Sequence, residues 1–171
     1  MRKLSRHSAV LLLAVTLQLL VISPASAMED TFSFLTTEEV ATRNAHISES
    51  GELDFTTLMQ EDSISLKRND GPTIAVNSPV GFELKSPIDF DVALQPRGEA
   101  GVDMGSLKIE YKLGPIWTNV TRRLTREARI IGNRLIAKNA DLPAGNHALR
   151  VTVADAAQGT TTAIVTFTVV E

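Results

Sequence analysis

The stretch Leu142-Pro143-Ala144-Gly145-Asn146-His147-Ala148-Leu149-Arg150-Val151-Thr152-Val153-Ala154-Asp155-Ala156-Ala157-Gln158-Gly159-Thr160-Thr161-Thr162-Ala163-Ile164-Val165-Thr166-Phe167-Thr168-Val169 decides the fold. Leu149, Val151 and Val153 alternate with Arg150, Thr152 and Ala154. Beyond Asp155–Gly159, Ala163, Val165, Phe167 and Val169 alternate with Ile164, Thr166 and Thr168. Period-two alternation on both sides of an Asp- and Gly-bearing loop predicts a β-hairpin with one face turned to a core. β-Branched residues dominate both arms and suit a pleated, half-buried surface. A hairpin alone cannot cover its apolar face, so the preceding chain must supply a second sheet.

Working backwards, the residues before the hairpin carry strand signals at regular intervals. Thr73–Val76 is a short strand, and Val80–Lys85 continues it between Pro79 and Pro87. Ile88, Phe90, Val92 and Leu94 alternate with Asp89, Asp91 and Ala93, and Leu107, Ile109 and Tyr111 with Lys108, Glu110 and Lys112. Residues 116–129 fit either a short strand around Trp117 or a brief helix through Val120, Leu124 and Ala128. Ile130-Ile131 and Leu135-Ile136-Ala137 flank the turn dipeptide Gly132-Asn133, a second hairpin. About seven strands in some 100 residues predict an all-β, immunoglobulin-like β-sandwich over residues 71–171.

The start of the chain sets the compartment. Arg2, Lys3 and Arg6 precede an uncharged run from Ala9 to Ile22 and the small residues Ala25 and Ala27. This is the pattern of a secretory signal peptide over residues 1–27, too short in its apolar part to span a bilayer. The expectation is a periplasmic or secreted protein with no membrane span after cleavage. Cysteine is absent, so disulfides, thiolate nucleophiles and thiolate metal sites are excluded. Without residues 1–27, 14 basic residues face 20 acidic ones, a balance that argues against nucleic acid.

Residues 28–70 form an acidic extension, with ten acidic residues against Arg43, Lys67 and Arg68. Their apolar residues show no sustained period, which predicts a largely irregular segment. Thr36-Thr37-Glu38-Glu39 can cap one or two helical turns, and Ile64 and Leu66 suit a short edge strand. Phe32, Phe34, Leu35, Phe55, Leu58 and Met59 exceed what a spacer needs and suggest a segment that folds on a partner. The turn cluster Asn69-Asp70-Gly71-Pro72 marks the boundary, and the partition implies that residues 71–171 fold alone.

Leu142-Pro143-Ala144-Gly145, Leu149–Val153, Asp155–Gly159 and Val165–Val169 together resemble the bacterial immunoglobulin-like domains of exported proteins. That resemblance implies a sandwich in an extracytoplasmic setting and names no ligand. Ser78-Pro79-Val80-Gly81 followed by Ser86-Pro87-Ile88 resembles the opening of the CopC-like periplasmic copper-binding sandwiches. The metal-binding marks of that family, an N-terminal histidine and an Asp-Gly-His motif, are missing. The chain after residue 27 begins Met28-Glu29-Asp30.

Chemistry-bearing motifs are few. The chain lacks a Gly-x-Ser-x-Gly elbow and a phosphate-binding glycine loop, and the expectation is a protein that is not an enzyme and uses no cofactor. His147 opens a strand in phase with Leu149 and reads as a packed residue, not a ligand. Asp89 and Asp91 should point outward together, and Trp117 beside Tyr111, which could stack on a sugar, reads better as core or rim packing. The one concentration above background is basic: Arg122, Arg123, Arg126, Arg129, Arg134 and Lys138 lie within 17 residues, opposed by Glu127. Forked arginine donors suit carboxylate and phosphate, so these six are the candidate anion- or partner-binding residues. Against the plain reading of a solvated face, their candidate ligands are an anionic envelope polysaccharide, lipid phosphates, an acidic protein partner or the chain's own acidic extension. The sequence therefore predicts a non-catalytic binding or structural module, with a metal-handling sandwich or a carbohydrate-binding accessory domain as alternatives.

Overall fold

Alternation becomes architecture first in the strand Ile88–Gln95, where Ile88, Phe90, Val92 and Leu94 are buried and their neighbours are not. The computed structural model describes residues 30–54, 56 and 69–171. The expected signal peptide, the expected edge strand at Ile64 and Leu66, and Phe55, Leu58 and Met59 lie outside the described residues. In chain order the elements are β1 (Phe32–Ser33), α1 (Thr37–Ser50), β2 (Thr73–Ser78), β3 (Gly81–Lys85), β4 (Ile88–Gln95) and β5 (Val102–Leu113). They continue with β6 (Ile116–Asn119), α2 (Thr121–Glu127), β7 (Arg129–Ile131), β8 (Arg134–Asp141), β9 (Gly145–Asp155) and β10 (Thr160–Val170).

Two sheets form a β-sandwich, as the strand spacing predicts. Sheet A runs β1-β8-β4-β2, with β7 also pairing β8, and sheet B runs β3-β10-β9-β5-β6. The hairpin over residues 145–170 is β9–β10, in unbroken antiparallel register from Thr160↔Ala154 to Val169↔Gly145. Its turn closes on Asp155, whose Oδ1 accepts from the backbone N–H groups of Ala157 and Gly159. Gly132-Asn133 turns β7 into β8 as expected. Residues 116–129 satisfy both alternatives in succession: a strand to Asn119, then a helix from Thr121. Among the described residues the count of ten strands exceeds seven because β1, β6 and β7 have four residues or fewer.

The acidic extension departs from expectation, since its described part is ordered against the sandwich. Thr36 caps α1 by accepting from the Glu39 N–H, and the Glu39 carboxylate accepts from the Thr36 N–H. The helix then runs 14 residues, not one or two turns. Its inward stripe is Val40, Arg43 and Ile47, and an arginine in the middle hides the apolar period from a sequence reading. Just before it, Phe34 is fully buried and Leu35 nearly so. Phe34 stacks on Phe90 at 5.0 Å and meets Tyr111 edge-on at 5.8 Å, so one residue of the extension bridges the two sheets. The core therefore draws on both sides of the Asn69–Pro72 turn cluster. That cluster is itself packed: Gly71 sits so close to the Gly159 carbonyl in the β9–β10 turn that a side chain has no room.

Candidate functional site

The polar centre of the molecule lies at one end of the sandwich. His147 starts the inward phase of β9, opposite Phe167, and is fully buried with its ring stacked on Phe167 at 5.2 Å. The Pro143 carbonyl can only accept, so at 2.9 Å it takes the Nε2–H. That leaves Nδ1 as an acceptor, and Tyr111 donates its hydroxyl to it at 2.9 Å. Arg43 closes this end, 6% exposed, donating to the carbonyls of Ala144 at 3.2 Å and Asn146 at 3.5 Å. Gly145 makes that approach feasible: its φ is +121°, and a Cβ there would collide with the Arg43 guanidinium and the Glu52 carboxylate. Burial, reinforced by the Arg43 charge, pushes the His147 imidazole down to about 4. Burial likewise pushes the Tyr111 phenol up to about 12, against the pull of Arg43. The cluster is neutral at the ring and cationic at Arg43. It ties the extension to the sandwich.

Copper, which the second resemblance would imply, does not fit these residues. Imidazole binds a metal through a free lone pair. In His147 one nitrogen carries the proton given to Pro143 and the other accepts from Tyr111. Among the described residues no three His, Asp or Glu side chains gather to hold an ion.

The six predicted basic residues are dispersed over five settings. Arg123 forks onto Glu39, at 2.7 Å and 3.2 Å, and also donates to the Phe34 carbonyl at 2.6 Å. One member of the cluster thus meets the acidic extension, and the pairing overcomes burial to hold the Glu39 carboxyl below its ordinary range. Arg134 forks onto Asp91, with Nε 2.7 Å from Oδ1. Asp91 is held low by that bond, while Asp89 accepts from the Asn139 N–H at 3.1 Å. Arg129 and Lys138 line one groove on sheet A, Arg126 is exposed on α2, and Arg122 lines a depression with Lys108 on sheet B.

Sheet B presents a second cationic assembly on its outer face. Strand register sets Glu110 opposite Arg150 on one side, and Lys112 opposite Trp117 on the other. Glu110, 6% exposed, accepts from Lys108 at 2.8 Å and from Arg150 Nε at 2.8 Å. Burial opposes its charge, but these two partners hold its carboxyl below the ordinary range. Arg150 lies over the Trp117 ring at 4.5 Å and the Lys112 ammonium at 5.2 Å, cation–π distances. Tyr111 pairs in register with Thr118, one residue from Trp117, so the two aromatics face opposite sides of the sheet. A joint sugar platform is thereby excluded: Tyr111 is in the core, and Trp117 stands among cations.

Sequence reasoning missed this assembly. Lys108-x-Glu110-x-Lys112 marks an outward phase, but only the register of β5 with β6 and β9 brings Trp117 and Arg150 beside it.

Neither the family models nor the curated proteins contain a match to this chain. Among solved structures, CopC from Methylosinus trichosporium OB3b is similar at 14% identity, covering 57% of this chain and 92% of its own, with a TM-score of 0.39. Among the described residues, no helix is long and apolar enough to cross a membrane.

Proposed function

We propose that this protein is an exported, non-catalytic binding module of the periplasm or cell envelope, and that the outer face of sheet B takes an anionic polysaccharide. The observation that carries the reading is the buried Glu110 carboxylate, which fixes Lys108 and Arg150 while Arg150 rests on Trp117. A carboxylate held by two cations spends part of their charge on orientation, and the remainder faces solvent along β5 and β9. Arg122, beside Lys108 on the same depression, lengthens the cationic strip. A polymer bearing regularly spaced carboxylates matches a strip better than a point site, and the half-buried Trp117 offers apolar surface for a sugar ring. The signal-like start of the chain supplies the compartment in which such polymers occur.

Calorimetric titration of the exported chain with polygalacturonate, against neutral dextran of similar length, tests the reading. Binding should be confined to the polyanion and should weaken as salt rises. Lys108→Ser should weaken it, while Arg134→Ser, on the other sheet, should not. Equal binding of dextran, or an unchanged affinity in Lys108→Ser, would refute it.

A further inference from the structure

The outer edge of β8 carries two short partners with a gap between them. β7 pairs residues 134–136, and β1 pairs residues 140 and 141. The gap opens into a groove of about 510 Å³, within the ~300–1,000 Å³ usual for small-molecule sites. Its apolar lining is Phe32, Ile131 and Ile136, of which Ile131 is 58% exposed. Arg129 and Lys138 bring positive charge to it, and Asp30 and Glu127 negative. None of these four makes an ion pair or side-chain hydrogen bond with a described residue. Four charges of both signs therefore share one groove without neutralising one another.

We infer that this groove is a binding site for a small zwitterion with an apolar side chain, an amino acid or short peptide, distinct from the face on sheet B. The ligand's carboxylate meets Arg129 and Lys138, whose guanidinium and ammonium are donors only. Its ammonium meets the carboxylates of Asp30 and Glu127, which are acceptors only. Its side chain covers the exposed surface of Ile131 and Ile136, removing apolar area from water. A simple anion would satisfy half of the groove and bring its charge toward two carboxylates. A simple cation would fail in the mirror sense. A zwitterion answers both sets at once.

The test is a titration of the isotopically labelled, exported protein with leucine and leucyl-leucine, followed by amide and methyl NMR shifts. Saturable shifts are expected at Arg129, Ile131, Ile136 and Lys138, with the tighter of the two ligands naming the preferred length. N-acetylleucine, lacking the ammonium, and leucinamide, lacking the carboxylate, should each bind roughly tenfold or more weakly, the usual effect of losing a charged hydrogen bond. Lys138→Ser and Arg129→Ser, both at exposed positions, should weaken leucine similarly while leaving the remaining spectrum in place. Saturating polygalacturonate should leave the leucine titration unchanged, which separates this site from the sheet B face. The absence of saturable shifts, shifts spread outside the groove, equal binding of the two blocked analogues, or unchanged affinity in both variants would overturn the inference.

Discussion

The two ends of the described chain reach the same core by opposite means. β9 and β10 contribute 11 residues each and pair along their whole length, so the side chains that turn inward are set by alternation. The extension enters through a two-residue strand, and its hold rests mainly on individual side chains: Phe34 and Leu35 in the core, the contacts of Arg43 and Arg123, and Glu52, Asn69 and Asp70 accepting from N–H groups of β9 and β10. Backbone pairing spreads stability over many modest contributions, each hydrogen bond adding about 1 kcal/mol net. The extension concentrates it in a few side chains. Acidic composition alone thus says little about whether a segment packs, because a few well-placed residues can carry the attachment.

That contrast predicts unequal sensitivity to single changes. Phe34→Ala removes a fully buried ring between Phe90 and Tyr111 and should cost about 3–5 kcal/mol, the range for a buried aromatic. Val165→Ala, half-buried in the long hairpin, should cost about 1 kcal/mol. Denaturant unfolding of both variants measures the difference. Equal costs would mean that the extension merely rests on the sandwich.

The same contrast explains which parts of the fold are legible in the sequence. Alternation over β4, β5, β9 and β10 announces itself because every second residue is apolar, and most of those residues turn to the core. The capping box at Thr36 and Glu39 was visible, but the length of α1 was not, since Arg43 stands where its buried stripe calls for an apolar residue. Phe34 and Leu35 stand out in the sequence as surplus apolar residues. No local period says that such residues enter a core built by strands far along the chain, from Ile88 onward. Of the candidate sites, the six basic residues were readable as a run, whereas their partners Glu39 and Asp91 came from distant elements. The Lys108–Glu110–Arg150–Trp117 assembly depends entirely on register across three strands.

The next largest effect concerns pH at the end where extension and hairpin meet. The His147 folded value of about 4 lies below its unfolded 6.5. As pH falls, the unfolded chain therefore binds the proton first. Stability is complete above about 6.5 and drains between 6.5 and 4, by about 3 kcal/mol in total. Glu39 and Glu110 have values below 4.5, so their contributions are lost only at lower pH. Unfolding measured between pH 7 and 5 should show the histidine slope, and His147→Gln should flatten it. A slope unchanged in that variant would remove His147 from the account.

Gly145→Ala tests the close approach of the extension to β9. The substitution forces a side chain into a positive φ and into the Arg43 guanidinium, and should cost about 2 kcal/mol. In an Arg43→Ala background the clash with the guanidinium disappears while the clash with the Glu52 carboxylate and the backbone strain stay, so the two changes should be non-additive by roughly 0.5 kcal/mol or more. Strict additivity in the four-member cycle would show that Arg43 and Gly145 act independently.

The smallest effect separates two arginine forks that look alike. Arg123–Glu39 joins α2 to the cap of α1 and is shielded, with 27% and 15% of the side chains exposed. Arg134–Asp91 lies on the outer face of sheet A, with the arginine 50% exposed. Charge-assisted forks gain where water is excluded and fade where it is not. Glu39→Gln removes the charge and weakens the helix cap as well, and should cost about 1–2 kcal/mol. Arg134→Ser should leave the denaturation midpoint within measurement error, because solvent already competes for both partners. Salt extends the comparison: 0.5 M sodium chloride should lower the stability difference between Glu39→Gln and the parent only slightly, since a shielded pair is poorly screened. If Arg134→Ser costs as much as Glu39→Gln, or salt erases the Glu39 effect, the extension is held by Phe34 and Arg43 without help from its acidic charge.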